Sequence, residues 1–235
     1  MNSTRFTNPA AIILAAGRSS RMGATKPLML IDDMPMLMYA ANAFRAAGID
    51  YIIVVTGFDA ECVAALAREG ALHPVHNSNF DKGMFTSVCA GIEAVPDEFD
   101  SAFVLPVDIP FVSPETLKRL QTSANREHGA DAKERGAASA GGMDGMPAAA
   151  RSWPIVIPRH KGKPGHPPLI HRSIFGQLRG WRGPDGLGGF LKAQSSLVAY
   201  LDVEDPFILR DIDTPDDMQK IISDRNLHGA AMPYT

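Results

Sequence analysis

Hydrophobic and polar positions alternate along the first half of this chain in two rhythms. One is unbroken: "AAIILAA" (Ala10 to Ala16), "YIIVVTG" (Tyr51 to Gly57) and "SAFVLPVD" (Ser101 to Asp108) are short apolar runs, the pattern of strands covered on both faces. The other has helical spacing. "PMLMYAANAFRAAG" sets Leu37, Tyr39, Ala40, Phe44 and Ala47 along a helix that Gly48 stops, "DAECVAALAREG" is a short helix ending at Gly70, and "MFTSVCAGIEAV" is another. "LHPVHN" reads as a weaker strand broken by Pro74. "SPETLKRLQTSANRE" opens with Ser113 as an N-cap, Pro114 at the first helical position and Glu115 and Thr116 in the first turn. Strands and helices in this alternation predict an α/β fold, a mostly parallel sheet between two helix layers.

Length and composition narrow the picture. With 235 residues and 45% hydrophobic content, the chain fits one α/β domain better than two small ones. We expect that domain to span residues 1–225, with a mobile surface insertion at 128–152 and a flexible tail at 226–235. The insertion "HGADAKERGAASAGGMDGMPAAARS" is rich in Ala and Gly and nearly empty of large apolar residues, too little to offset the entropy of ordering it. A net charge of -3 gives no global electrostatic reason to bind nucleic acid or an anionic membrane surface, so an anion site must be local. The longest early apolar run is too short to span a bilayer, and a cytoplasmic location is expected. Cys62 and Cys89 have neither paired-thiol nor metal-ligand spacing and read as buried free thiols.

Directly after the first apolar run comes "GRSSRMGATK", with two glycines, cations and no carboxylate. It is neither the Walker pattern nor the dinucleotide fingerprint, yet it keeps the physics they share. Gly17 and Gly23 allow the backbone to turn and approach a ligand with its N–H groups, while Arg21 and Lys26 add full positive charge on either side. A triphosphate fits that inventory. Asp108 ends a buried strand, where open α/β sheets place ligands, and offers the hard oxygen that Mg²⁺ prefers. In "DIDTPDD", Asp211 and Asp213 point to one side of an extended segment, Thr214 caps the helix that Pro215 begins, and Asp216 and Asp217 supply charge to its first turn. Ser87 lies in the turn into a helix, where its hydroxyl can meet a ribose or base. His160, His166 and His171 are spaced by six and five residues, which does not gather them on one helical face as a zinc site. Met29, Met34, Met36 and Met38 are expected in or near the core.

The stretch "LAAGRSSRMGATKPLM" resembles the signature loop of the MobA-like nucleotidyltransferases. Within them it is most similar to the molybdenum cofactor cytidylyltransferases, which couple CTP to molybdopterin and release pyrophosphate. "GMFTSVCAGI" (Gly83 to Ile92), "LPVDIPFVSPET" (Leu105 to Thr116), "GHPPLI" (Gly165 to Ile170) and "DIDTPDD" (Asp211 to Asp217) follow in that family's order. The resemblance implies a Rossmann-like three-layer α/β/α domain of the nucleotide-diphospho-sugar transferase type. It implies a nucleotide site built on Leu14, Ala15, Ala16, Gly17, Arg21, Lys26, Ser87 and Asp108, with Arg21, Lys26 and Asp108 in the chemistry. It also implies Mg²⁺ on Asp108 and Asp213, and an acceptor loop at Gly165, His166 and Pro167. The "LAAG" opening resembles members that use CTP. Ile109, and "GPDGLGG" in place of a Gly-Asp-x-Gly-Ala stretch, depart from the cytidylyltransferase pattern on the acceptor side. Another phosphorylated acceptor, such as a sugar phosphate, and a non-catalytic nucleotide or cofactor chaperone are the alternative expectations. By analogy, a labile product implies transient contact with a molybdoenzyme or its chaperone.

Overall fold

A computed structural model describes residues 6–19, 22–125 and 153–227. The expected insertion at 128–152, nearly all of the expected tail and Arg21 lie outside the described residues. Strand β1 (Pro9–Ala15) is buried along its whole length. It lies between parallel neighbours β4 (Ile52–Thr56) and β6 (Ser101–Pro106), with β5 (His73–His76) beyond β4. Beyond β6 come β9 (Leu169–His171), β7 (Ile155–His160) and β10 (Val198–Asp202), and a two-residue strand β8 (Lys163–Pro164) pairs with β7. β9 runs antiparallel to both β6 and β7, so the sheet is mixed and mostly parallel. A separate hairpin joins β2 (Leu30–Ile31) to β3 (Met34–Pro35).

The alternation of side chains along β1 divides the interior in two. Ala11, Ile13 and Ala15 enter one core with residues of α1 (Met36–Ala46), α2 (Ala60–Glu69), α4 (Pro114–Ala124) and α7 (Pro215–Leu227). Ala10, Ile12 and Leu14 enter the other, against α3 (Met84–Glu93), α5 (Phe175–Gly180) and α6 (Gly186–Ala193). With both faces covered, the strands need no polar face, which is why their sequences read as continuous apolar runs. The result is the Rossmann-like three-layer α/β/α fold.

Local signals explain the element ends. Ser113 Oγ accepts the Thr116 amide at 3.1 Å and caps α4, while Gly48 takes φ +82 just after α1. Thr214 and Asp217 form a reciprocal cap on α7: Thr214 Oγ1 accepts the Asp217 amide at 3.2 Å, and Asp217 Oδ2 accepts the Thr214 amide at 2.9 Å. Asp217 is therefore a capping partner as well as a first-turn charge. Pro74 does not break β5, because an edge strand tolerates a missing donor. Met36 is fully buried, and Met29, Met34 and Met38 pack against the same core.

The cysteine expectation is overturned: Cys62 is exposed and Cys89 only half-buried. α2 buries Val63 and Ala67, one turn apart, and Cys62 falls beside that stripe rather than in it. Among the described residues no helix is long and apolar enough to cross a membrane.

Candidate active site

Chain order places the site. From β1 the chain winds outward through β4 to β5, then returns to β6 on the other side of β1, so the loops leaving β1 and β6 diverge at the carboxyl end of the sheet. This is the topological switch point where open α/β sheets take ligands. A cleft of about 170 Å³ lies there, lined by Leu14 to Gly17, Ser19, Lys26 and Pro27, by Phe80, Met84 and Ser87, and by Pro106 to Asp108. Leu14, Ala15, Ala16, Gly17, Lys26, Ser87 and Asp108 thus line one cleft.

The loop after β1 is tied at several points. Gly23 adopts φ +68, a left-handed conformation that glycine takes at little cost. Ser19 Oγ accepts the Lys26 amide at 3.0 Å and brings Lys26 to the cleft floor at the start of a 3-10 turn, where the residue is only 8% exposed. Among the described residues, a Cβ on Gly17 would meet nothing within 4 Å beyond its chain neighbours, and Gly17 lines the cleft. Gly57, by contrast, is required by contact: a Cβ there would sit 2.6 Å from Phe80 Cβ and 2.8 Å from Ala16 Cβ.

The charged end of the cleft is a three-residue cluster. Lys26 Nζ lies 2.6 Å from Asp213 Oδ1 and 3.1 Å from Asp108 Oδ2. The Asp108 carbonyl accepts the Ile212 amide at 2.8 Å, which fastens the 211–213 segment beside the exit of β6. Ile212 is buried, so its neighbours turn the other way; Asp213 is half-buried at the cluster and Asp211 is exposed. The rest of the lining includes strand residues, Phe80, Met84 and the buried hydroxyl of Ser87, with the Arg18 guanidinium stacked on Phe80.

The Gly165–Pro167 loop stands apart from the cleft lining. Its amides are spent on structure: Gly165 donates to the Pro158 carbonyl at 2.8 Å and His166 to that of Ile208 at 2.9 Å. A Cβ on Gly165 would lie 2.5 Å from the Ile208 carbonyl oxygen, so close passage of two chain segments demands glycine there. The His166–Pro167 peptide is cis. Burial holds the His166 imidazole below its ordinary pKa, opposed by the charge of Asp108, a hydrogen bond to the Val104 backbone and the charge of Asp211. Its Nδ1 is buried without a hydrogen bond. The other two histidines serve the fold: His160 Nδ1 lies 2.9 Å from the Val203 carbonyl, and His171 Nδ1 accepts the Ser173 amide at 3.2 Å.

The donor set suits a hard divalent cation. The two carboxylate oxygens that flank Lys26 Nζ lie within about 6 Å of each other and already converge on a positive charge. Among the described residues no group of three or more His, Cys, Asp or Glu is placed to hold a metal. Two carboxylates completed by substrate phosphates and water is the usual manner of Mg²⁺, as opposed to an all-protein cage.

Sequence reading missed Asn77, Phe80, Met84 and Arg18. Arg18 lies over Phe58 and Phe80, 5.6 and 5.4 Å from the ring centroids, at the edge of the cleft. Asn77, the last residue of the weak strand pattern "LHPVHN", hydrogen-bonds Ser87, a contact that the pattern does not reveal.

Comparison with known proteins bears on the fold and the family. The chain is 27% identical over 211 residues to the molybdenum cofactor cytidylyltransferase of Escherichia coli K12, covering 88% of this chain and 91% of that one. It is 35% identical over 114 residues to the bifunctional protein GlmU of Agrobacterium fabrum, and spans only about a quarter of the length of that relative. Rv0371c of Mycobacterium tuberculosis H37Rv superposes with a TM-score of 0.72 at 24% identity, covering 93% of this chain and 99% of that one. The same protein is also solved in complex with manganese, with a TM-score of 0.67 and 23% identity. Residues 11–198 match the MobA-like NTP transferase domain, and the chain belongs to that family.

Proposed function

We propose that this chain transfers CMP from CTP to a molybdopterin-type cofactor and releases pyrophosphate. The observation that carries the reading is Lys26, in the lining of a cleft at the carboxyl end of the sheet, held between Asp108 and Asp213. In this reading the phosphates of the nucleotide meet that cluster and its base lies along the remaining lining. The E. coli relative, by its name a molybdenum cofactor cytidylyltransferase, supports the choice of CTP and acceptor. In this reading residues 1–225 form one catalytic domain working in the cytoplasm, and the product passes by direct contact to a molybdoenzyme or its chaperone.

A phosphate oxygen of the acceptor attacks the α-phosphorus in line; the new O–P bond forms as the bond to the β-phosphate oxygen breaks. The nucleophile is already ionised at neutral pH, so no general base is needed. The chain's task is positioning and charge. The cleft walls align the nucleotide, and Lys26, joined by Arg21, stabilises the α-phosphate and the departing pyrophosphate. Asp108 and Asp213 would hold Mg²⁺, which as a Lewis acid neutralises phosphate oxygens when bound. In this reading Gly165, His166 and Pro167 would contact the acceptor, and the buried His166 Nδ1, without a hydrogen bond among the described residues, supports it.

The test is incubation with each of the four nucleoside triphosphates, Mg²⁺ and molybdopterin, reading pyrophosphate. Pyrophosphate from CTP alone supports the reading. Product from another acceptor only, such as a sugar phosphate, replaces the substrate. Orthophosphate would indicate a phosphotransferase, and no product a binding module. Asp108→Ala should abolish turnover while circular dichroism stays unchanged; a fully active Asp108→Ala enzyme removes the metal assignment.

A further inference from the structure

Ser19 holds a backbone conformation that residues with a side chain rarely adopt. Its φ is +50, in the left-handed region where a Cβ crowds the following carbonyl oxygen and glycine is the more stable choice. A side chain kept at such a position points to a use for it. Seven residues further along the chain, the Lys26 amide donates to Ser19 Oγ at 3.0 Å. Lys26 opens a three-residue 3-10 turn whose N-cap, Thr25, makes no side-chain capping bond. The Thr25 hydroxyl donates instead to Asp59 Oδ2 at 2.9 Å, at the start of α2. Within the turn, Pro27 has no N–H and the Leu28 amide is spent on the Thr25 carbonyl at 2.9 Å, which leaves the Lys26 amide to be satisfied from elsewhere. Ser19 supplies that bond as a remote cap. Its own carbonyl accepts the amide of Met22, a buried core residue, at 3.0 Å. One residue in the cleft lining is therefore fastened both to the interior and to the backbone from which the Lys26 side chain departs.

We propose that Ser19 is a positioning residue for the phosphate end of the site: its hydroxyl oxygen fixes the Lys26 backbone in advance, so that the ammonium is aimed at the Asp108 and Asp213 carboxylates and at the phosphates of a nucleotide. The inference rests on the nucleotide reading above and deepens it. Lysine has a long and flexible stem, so the place its Nζ can reach depends on where its backbone is held. Without the tie, the chain around Lys26 must be ordered at the moment the phosphates arrive, and that entropy is subtracted from affinity. With it, the charge is already organised. The left-handed strain at Ser19 is offset by the bond that its side chain makes.

The experiment compares the full chain with Ser19→Gly, Lys26→Met and the double variant. Glycine relieves the backbone at position 19 and removes the oxygen, so Ser19→Gly should fold with a thermal midpoint no lower than the wild type's. Amide hydrogen exchange read by NMR should find the Lys26 N–H protected in the wild type and exchanging about tenfold faster in Ser19→Gly. NMR titration with CTP and Mg²⁺, without acceptor, should show affinity about tenfold weaker in Ser19→Gly, and no weaker in the double variant than in Lys26→Met. A Lys26 amide that exchanges equally fast in the wild type and Ser19→Gly overturns the inference. An equal loss of affinity with and without Lys26 overturns it too, because Ser19 then acts by some other route. If Lys26→Met binds no CTP at all, the single variant decides: weaker binding at an undiminished midpoint supports the inference, and a lowered midpoint gives Ser19 a merely structural role. Should Ser19→Gly not fold, Ser19→Ala takes its place in the exchange and affinity readings. A wild type that binds CTP while Ser19→Gly binds it equally well refutes this inference alone; a wild type that binds no nucleoside triphosphate refutes the nucleotidyltransferase reading and this inference with it.

Discussion

Removing the ammonium of Lys26 puts the charge cluster to the sharpest test. Lys26→Met keeps the length and apolar body of the side chain and deletes its charge. The side chains of Lys26, Asp108 and Asp213 are 10%, 23% and 24% exposed, so water screens this cluster far less than a surface pair. The variant leaves two carboxylates with oxygens within about 6 Å and no cation between them. At an effective dielectric of about 20 their repulsion is about 3 kcal/mol. Urea denaturation at neutral pH, low salt and with chelator present should therefore show an unfolding free energy lower by about 3 kcal/mol than the wild type's. Adding Asp108→Asn to Lys26→Met removes one of the repelling charges and should restore most of the loss. Millimolar Mg²⁺ should raise the midpoint more in Lys26→Met than in the wild type, since the ion then has no ammonium to displace. An unchanged midpoint in Lys26→Met, or a double variant as unstable as the single, would refute the electrostatic reasoning.

Other sites give independent checks. Burial pushes the Asp100 carboxyl up, but hydrogen bonds from the Thr7 and Ser101 hydroxyls and the Thr7 and Asn8 amides outweigh it and hold the group below the ordinary carboxylate range. A depressed folded value stabilises above the unfolded pKa and is lost as pH falls through the folded one. Asp100→Asn should thus be less stable than wild type at pH 7, with the gap closing under acid denaturation. Gly57→Ala should cost about 1–3 kcal/mol by overpacking against Phe80 and Ala16, and weaken nucleotide binding by deforming the cleft wall; thermal melting and calorimetry read both. Ser113→Ala, which removes the α4 cap, should lower stability by about 1 kcal/mol in urea with binding unchanged.

The first half of the fold was legible because its strands are covered on both faces and its helices carry one apolar stripe, so periodicity alone separates them. Pro74 misled only about continuity, since edge position is a tertiary fact. Cys62 misled because one residue of helical phase decides between core and solvent. In the site, the glycine-bearing loop, Lys26 and Asp108 could be read locally after two apolar runs, whereas Asp213 was singled out only by the family resemblance. That Lys26 touches both carboxylates could not: the three are brought together by the return of the chain to β6 and by the Ile212 amide on the Asp108 carbonyl. Asn77 was invisible for a similar reason. It ends the weak strand pattern "LHPVHN", which gives no sign that its amide meets Thr86 and Ser87 when α3 folds over it.

The reversed strand β9 has a mechanical corollary. Its three residues pair with β6 and two of them with β7, and among the described residues these pairings join β1, β4, β5 and β6 to β7 and β10 within the sheet. Its chain enters directly from the Gly165–Pro167 loop. The sheet is stitched there along a seam one short strand wide, so a load applied to that loop is felt at that seam. Were the two sides of the sheet to shift relative to one another, the crease would form along Leu169 to His171.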